Sequence, residues 1–95
     1  MVAVLGIVHL DLNIVQADSL KSKRRVVKGF RDRVADRYNV SVAEVDRQDD
    51  WQRAVLAIAM VGSDRRHVES SLQKIVNMAS THRDMILISR EIEWF

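Results

Sequence analysis

The sequence has no cysteine, no proline and only three glycines in 95 residues, and aromatic residues make up just 5% of it. Without cysteine there can be no disulfide framework, no thiolate metal site and no cysteine nucleophile. The glycines, Gly6, Gly29 and Gly62, stand far apart. No Gly-rich loop is therefore present to cradle a phosphate, and no nucleophile–base pairing emerges from the positions of Ser, His and Asp. Long apolar stretches are missing too. The two longest, Met1–Val8 and Ala54–Gly62, fall far short of the ~18 residues of a membrane-spanning helix. The N-terminal run lacks a basic flank and is followed closely by His9 and Asp11, which argues against a signal peptide and sets the expectation of a cytoplasmic protein.

What remains is ordinary for a folded domain: 47% apolar and 29% charged residues, enough for one core in one domain spanning 1–95. The net charge is only +2. Its distribution is uneven, because Lys21, Lys23, Arg24, Arg25 and Lys28 cluster with no acid between Lys21 and Lys28. Without these five, ten Lys and Arg stand against 13 Asp and Glu, a net of −3. The basic character therefore belongs to one short surface of an otherwise slightly acidic chain.

The pattern along the chain predicts six elements. Val2–Leu12 is rich in aliphatic residues on both alternating faces, the mark of a central strand. After a connection at Asn13–Asp18, with Asp18 or Ser19 as cap, Ser19–Tyr38 reads as an amphipathic helix. Leu20, Val27, Phe30, Val34 and Tyr38 form its core stripe, with Lys21, Arg25 and Lys28 opposite and Arg24 and Arg31 at the edge. Lys28–Asp32 and Arg33–Asp36 spacings allow the second half to neutralise itself. Asn39–Asp46 changes its alternation phase, so the second strand is allowed a bulge. A polar turn at Asp46–Asp50 leads to a second central strand, Gln52–Gly62, and a turn centred near Gln48 would set Glu44 across from Arg53 as an ion pair. Ser63 or Asp64 caps a second helix with Val68, Leu72, Ile75 and Ala79 inward, and Met85–Phe95 is the last strand.

The order β-α-β-β-α-β, with right-handed crossovers, implies a ferredoxin-like α+β sandwich: a four-stranded antiparallel sheet with two helices on one face. Much of the other sheet face carries small and aliphatic side chains, from which a homo-oligomer formed through that open face is expected.

The segments SLKSKRRVVK, NVSVAEVD and DWQRA resemble the YlxP-like family of small bacterial proteins, a group of unknown function. The residues carrying the resemblance are Ser19, Leu20, Lys21, Lys23 and Arg24, then Asn39, Ser41, Ala43 and Glu44, then Trp51, Gln52 and Arg53. It runs from the first strand to the second helix and fades in the last strand. The resemblance implies a bacterial cytoplasmic protein of this fold, whose genes tend to lie among those for translation factors and ribosome maturation. It supplies no catalytic residues. Ser22 stands where an acid is expected, which makes this helix start more basic.

Five cations at a helix start oppose the helix dipole, whose N-terminal end favours anions. Exposed helix N–H groups and the cations would then attract the same anionic ligand. Lys21, Lys23, Arg24, Arg25 and Lys28 are thus the candidate anion- or RNA-binding residues. The central strands contain no Phe, Tyr or Trp, so stacking of bases on the sheet, as in an RNA-recognition motif, is not expected. Trp51 at the hairpin end is read as a packing anchor and Arg53 as the partner of Glu44. The alternative is a partner surface made by Trp51, Gln52 and Arg53. His9, Asp11 and Asn13 share one strand face, but a polar strand end is the better reading than a metal site. Asp46, Asp49 and Asp50 read as a soluble turn. Asn13–Asp18 offers neither the loop nor the positioned arginine of acylphosphatases, which share the fold.

The expectation is therefore a non-enzymatic protein with no catalytic residue, metal or cofactor. It would bind RNA or a ribonucleoprotein connected with translation or ribosome maturation, with no membrane partner. The competing readings are a small-molecule-binding regulatory module, with its ligand at a subunit interface, and a protein–protein adaptor using Trp51 and the acidic turn.

Overall fold

The central strand β1, Val4–Ile14, alternates without interruption, and its even-numbered residues from Gly6 to Ile14 are buried. In a computed structural model, which describes residues 2–95, it lies between two antiparallel neighbours. These are β3, Arg53–Gly62, and β4, Met85–Trp94. The edge strand β2, Val40–Asp46, pairs with β3 and completes the order β2-β3-β1-β4. Helix α1, Leu20–Arg37, follows β1, and helix α2, Arg65–Ser80, follows β3. The chain thus has the βαββαβ order of a ferredoxin-like α+β fold.

One core joins the sheet to both helices. Val8, Leu10, Leu12 and Ile14 of β1 and Ala54, Leu56, Ile58 and Met60 of β3 meet Val27, Phe30 and Val34 of α1 and Val68, Leu72, Ile75, Val76 and Ala79 of α2. The alternation explains this: on both central strands one parity carries the larger aliphatic residues, and that face is covered by helices. β1 runs two residues further than its apolar pattern implies. Asn13 and Ile14 still pair with β4, and Ile14 N–H donates to the Gln52 carbonyl at 2.7 Å.

The bulge allowed in β2 falls between Glu44 and Asp46. A second irregularity, opposite Asp11 and Leu12, divides β4. The β2 bulge alters the expected cross-strand pairing. Glu44 stands across from Leu56, and Arg53 pairs in register with Asn13 of β1. The Glu44–Arg53 ion pair expected from the sequence therefore does not form. Arg53 turns instead to Asp11, with Nη2 at 2.9 and 3.0 Å from the two carboxylate oxygens. Among the described residues no helix is long and apolar enough to cross a membrane.

Candidate functional site

The start of α1 is built by two serines. Ser19 has extended backbone at the cap, and its Oγ accepts from the Ser22 N–H at 3.0 Å. Ser22 Oγ in turn accepts from the Ser19 and Asp18 N–H groups at 3.2 and 3.1 Å. This is a capping box in which serine does the work of the usual acid, so the helix begins without a carboxylate. The same box occupies the N–H groups of Asp18, Ser19 and Ser22. An anion here would meet side-chain cations rather than a ring of free amides.

The five cations do not form one surface. Lys21, Arg24, Arg25 and Lys28 are exposed, whereas Lys23 is fully buried. Its ammonium donates to the carbonyls of Arg47 at 2.8 Å, Arg53 at 3.0 Å and Gln48 at 3.4 Å, and lies 2.9 Å from Glu44 Oε2. Lys23 is thus withdrawn from the anion-binding set. Its three protons are used by the β2–β3 connection, and its charge by Glu44.

The hairpin is shaped to receive that ammonium. After the β2 bulge, Arg47 adopts a left-handed backbone (φ 61°), which turns the chain back toward α1. Asp50 then accepts from the Gln52 and Arg53 N–H groups at 2.9 and 3.1 Å. The Gln52 hydrogen bond is the first cause holding the Asp50 carboxyl below its usual range. Asp46 accepts from its neighbour's N–H at 2.8 Å. Asp46 and Asp50 are therefore occupied with the turn's own backbone, and the cation that the turn's carbonyls hold is Lys23. Among the described residues no group of three or more His, Cys, Asp or Glu is arranged to hold a metal.

Of the exposed cations, Lys28 is paired with Asp32 at 2.6 Å, as its spacing implies. Among the described residues no carboxylate lies within ion-pair distance of Lys21, Arg24 or Arg25. Arg24, Lys28 and Arg31 line a shallow depression of about 270 Å³ beside Val27 and Glu44. Arg31 belongs to this surface although the cluster in the sequence ends at Lys28.

The other candidate surface comes apart. Trp51 is not the packing anchor expected of it, since 54% of it is exposed at the hairpin end. Gln52 reaches across to the Ala17 carbonyl at 3.2 Å, and Arg53 is engaged by Asp11. Trp51 alone of the three is free to meet a partner. His9 and Asp11 share the open face of β1, but His9 Nδ1 lies 3.7 Å from Glu93 and Asp11 is taken by Arg53.

Fold and site together define a small ferredoxin-like domain with a bipartite first helix: one lysine locked inside, and a basic outer face without acids in its first turn. The chain belongs to the family described as protein of unknown function (DUF503), whose model matches residues 5–92. It is 35% identical over 91 residues to the uncharacterized protein YlxP of Bacillus subtilis (strain 168), covering 96% of this chain and 99% of that protein.

Proposed function

We propose that this domain is a non-enzymatic RNA-binding protein that grips the phosphate backbone through Lys21, Arg24, Arg25 and Lys28. The observation carrying this reading is that, among the described residues, three of these four cations have no carboxylate partner while the helix dipole opposes them. Phosphate contacts of this kind give affinity and little sequence discrimination. With four contacts, the logarithm of affinity should fall against the logarithm of salt with a slope of about −2.8 on single-stranded RNA to about −3.6 on duplex. Between 50 and 200 mM salt this amounts to a loss of roughly 50- to 150-fold. Fluorescence anisotropy with labelled RNA measures it. Reversing Lys21, Arg24 and Arg25 to Glu should flatten the slope by at least about 2.1 on single-stranded RNA and about 2.7 on duplex, and remove most of the affinity. An affinity indifferent to salt, or unchanged by the reversal, refutes the reading.

A second observation supports self-association through the open sheet face. Val61 is 58% exposed there and Ile86 55%, with Leu5, Ile7 and Val55 half-buried around Ala57 and Ala59. Strands of 11, 7, 10 and 10 residues make a face of roughly 600 Å², near the roughly 800 Å² per partner of a standard interface. Sedimentation velocity should find a dimer for the wild-type chain and a monomer for Val61→Asp. A monomeric wild type at about 100 μM would leave this face without its second copy.

A further inference from the structure

The second half of α1 is not self-neutralised as its sequence implies. Lys28–Asp32 forms, but Arg33 and Asp36 do not pair. Arg33 and Arg37, one turn apart, instead border a groove of about 520 Å³ between α1 and the end of α2. Arg83, in the turn after α2, lines the same groove. Like charges at this spacing on a helix are mutually unfavourable, and among the described residues no carboxylate is in ion-pair contact with Arg33 or Arg37. The one acid in the lining, Asp84, is 3.8 Å from Arg83 Nε. Three guanidinium groups thus surround a space of the size that small ligands occupy.

The rest of the lining is Phe30, Met78, His82 and the polar Thr81. Phe30 is 1% exposed, and His82 meets its ring edge-on, with centroids 6.1 Å apart and planes at 76°. Met78 adds a flexible thioether side chain. The Asp84 N–H donates to His82 Nδ1 at 3.0 Å, which makes Nδ1 an acceptor and leaves Nε2 to carry the imidazole proton. Burial is the first cause that keeps His82 below its ordinary pKa, with the positive charges of Arg33 and Arg83 acting in the same direction and Asp84 against them. The groove therefore pairs guanidinium forks, which suit phosphate, with ring and thioether surface, which suits a base.

We infer that the groove formed by Arg33, Arg37, Arg83, His82, Phe30 and Met78 binds a nucleotide, its phosphate on the arginines and its base against His82 and Met78. This site uses none of the residues of the proposed RNA backbone contact. The same chemistry is offered by a free mononucleotide and by one nucleotide of a strand.

The test follows the His82 ring proton by NMR in the full chain while AMP, adenosine, inorganic phosphate or a short oligoadenylate is added. AMP is expected to shift the resonance saturably and to raise the His82 titration midpoint, because a bound anion favours the imidazolium. Adenosine and phosphate should each bind at least about tenfold more weakly than AMP. Arg33→Gln with Arg37→Gln should weaken AMP by about tenfold or more, and both positions are exposed, so the fold is retained. The Lys21, Arg24 and Arg25 reversals should leave it unchanged, which separates this site's failure from that of the RNA backbone contact. Saturation by oligoadenylate but not by AMP supports the site and assigns its nucleotide to a strand. No saturable shift with either, equal binding of adenosine or of bare phosphate, or indifference to the arginine substitutions would overturn the inference.

Discussion

Replacing Lys23 by methionine is expected to lower the unfolding free energy by about 3 kcal/mol or more, and the melting temperature by about 10–20 °C. The chain length and stem volume are nearly kept, so the loss comes from what the ammonium held. Three carbonyls, of Arg47, Gln48 and Arg53, lose their donor, and Glu44, whose side chain is 17% exposed, loses its counter-charge. An orphaned buried acceptor costs about 1–3 kcal/mol, and an uncompensated buried charge more. The comparison is Lys21→Met, on the same helix but exposed, which should change stability by no more than about 0.5 kcal/mol. Adding Glu44→Met to Lys23→Met should restore part of the loss by removing the stranded charge. Recovery should be incomplete, because the carbonyls stay unsatisfied. Thermal unfolding followed by circular dichroism measures all four proteins. Equal stability of Lys23→Met and wild type would show that the hairpin is held by other contacts.

Lys23 also shows what the sequence could and could not reveal. Its burial was visible in its position: it lies four residues before Val27 and seven before Phe30, on the stripe that faces the core. The apolar residues alone define the stripe, and a lysine among lysines and arginines has the composition of a solvated charge. The signal that separates it is phase, not composition. Ser22 is a similar case. It stands where an acid was expected, and a hydroxyl can fill the same reciprocal cap.

The strands, the helices, the order of elements and the β2 bulge all follow from alternation and periodicity, because each is set by which side chains must be buried. Pairings between elements depend on how those elements bend and pack, which alternation does not set. Glu44 and Arg53 would face one another across a tight turn centred on Gln48. The bulge and the left-handed Arg47 lengthen and bend the connection, so Glu44 meets Lys23 and Arg53 meets Asp11. The groove between α1 and the end of α2 depends on how two distant segments pack. No spacing in the chain sets Arg33 near Arg83.

Gly6→Ala is expected to destabilise the domain by about 1–2 kcal/mol, although a strand interior ordinarily gains from losing a glycine. Gly6 stands in register with Trp94, and the indole ring lies over it. A Cβ at position 6 would come 2.9 Å from Trp94 Cζ3 and 3.0 Å from Leu72 Cδ1. Both are closer than carbon atoms approach without repulsion. The ring is not free to swing away without cost, because the Arg65 guanidinium lies over it, 4.4 Å from the centroid. Yet alanine also narrows the unfolded ensemble, which is worth about 0.4–1 kcal/mol in favour of the fold. The two effects are separated by a second substitution. In a Trp94→Leu background the close contact with the indole is gone, so Gly6→Ala should become neutral or stabilising by up to about 1 kcal/mol. Urea unfolding of the four proteins gives the cycle, and the sign of the Gly6→Ala effect should depend on residue 94. The same destabilisation in both backgrounds would mean that Leu72, not Trp94, limits the space above Gly6. No destabilisation in either would show that the sheet and α2 can shift to admit a methyl group.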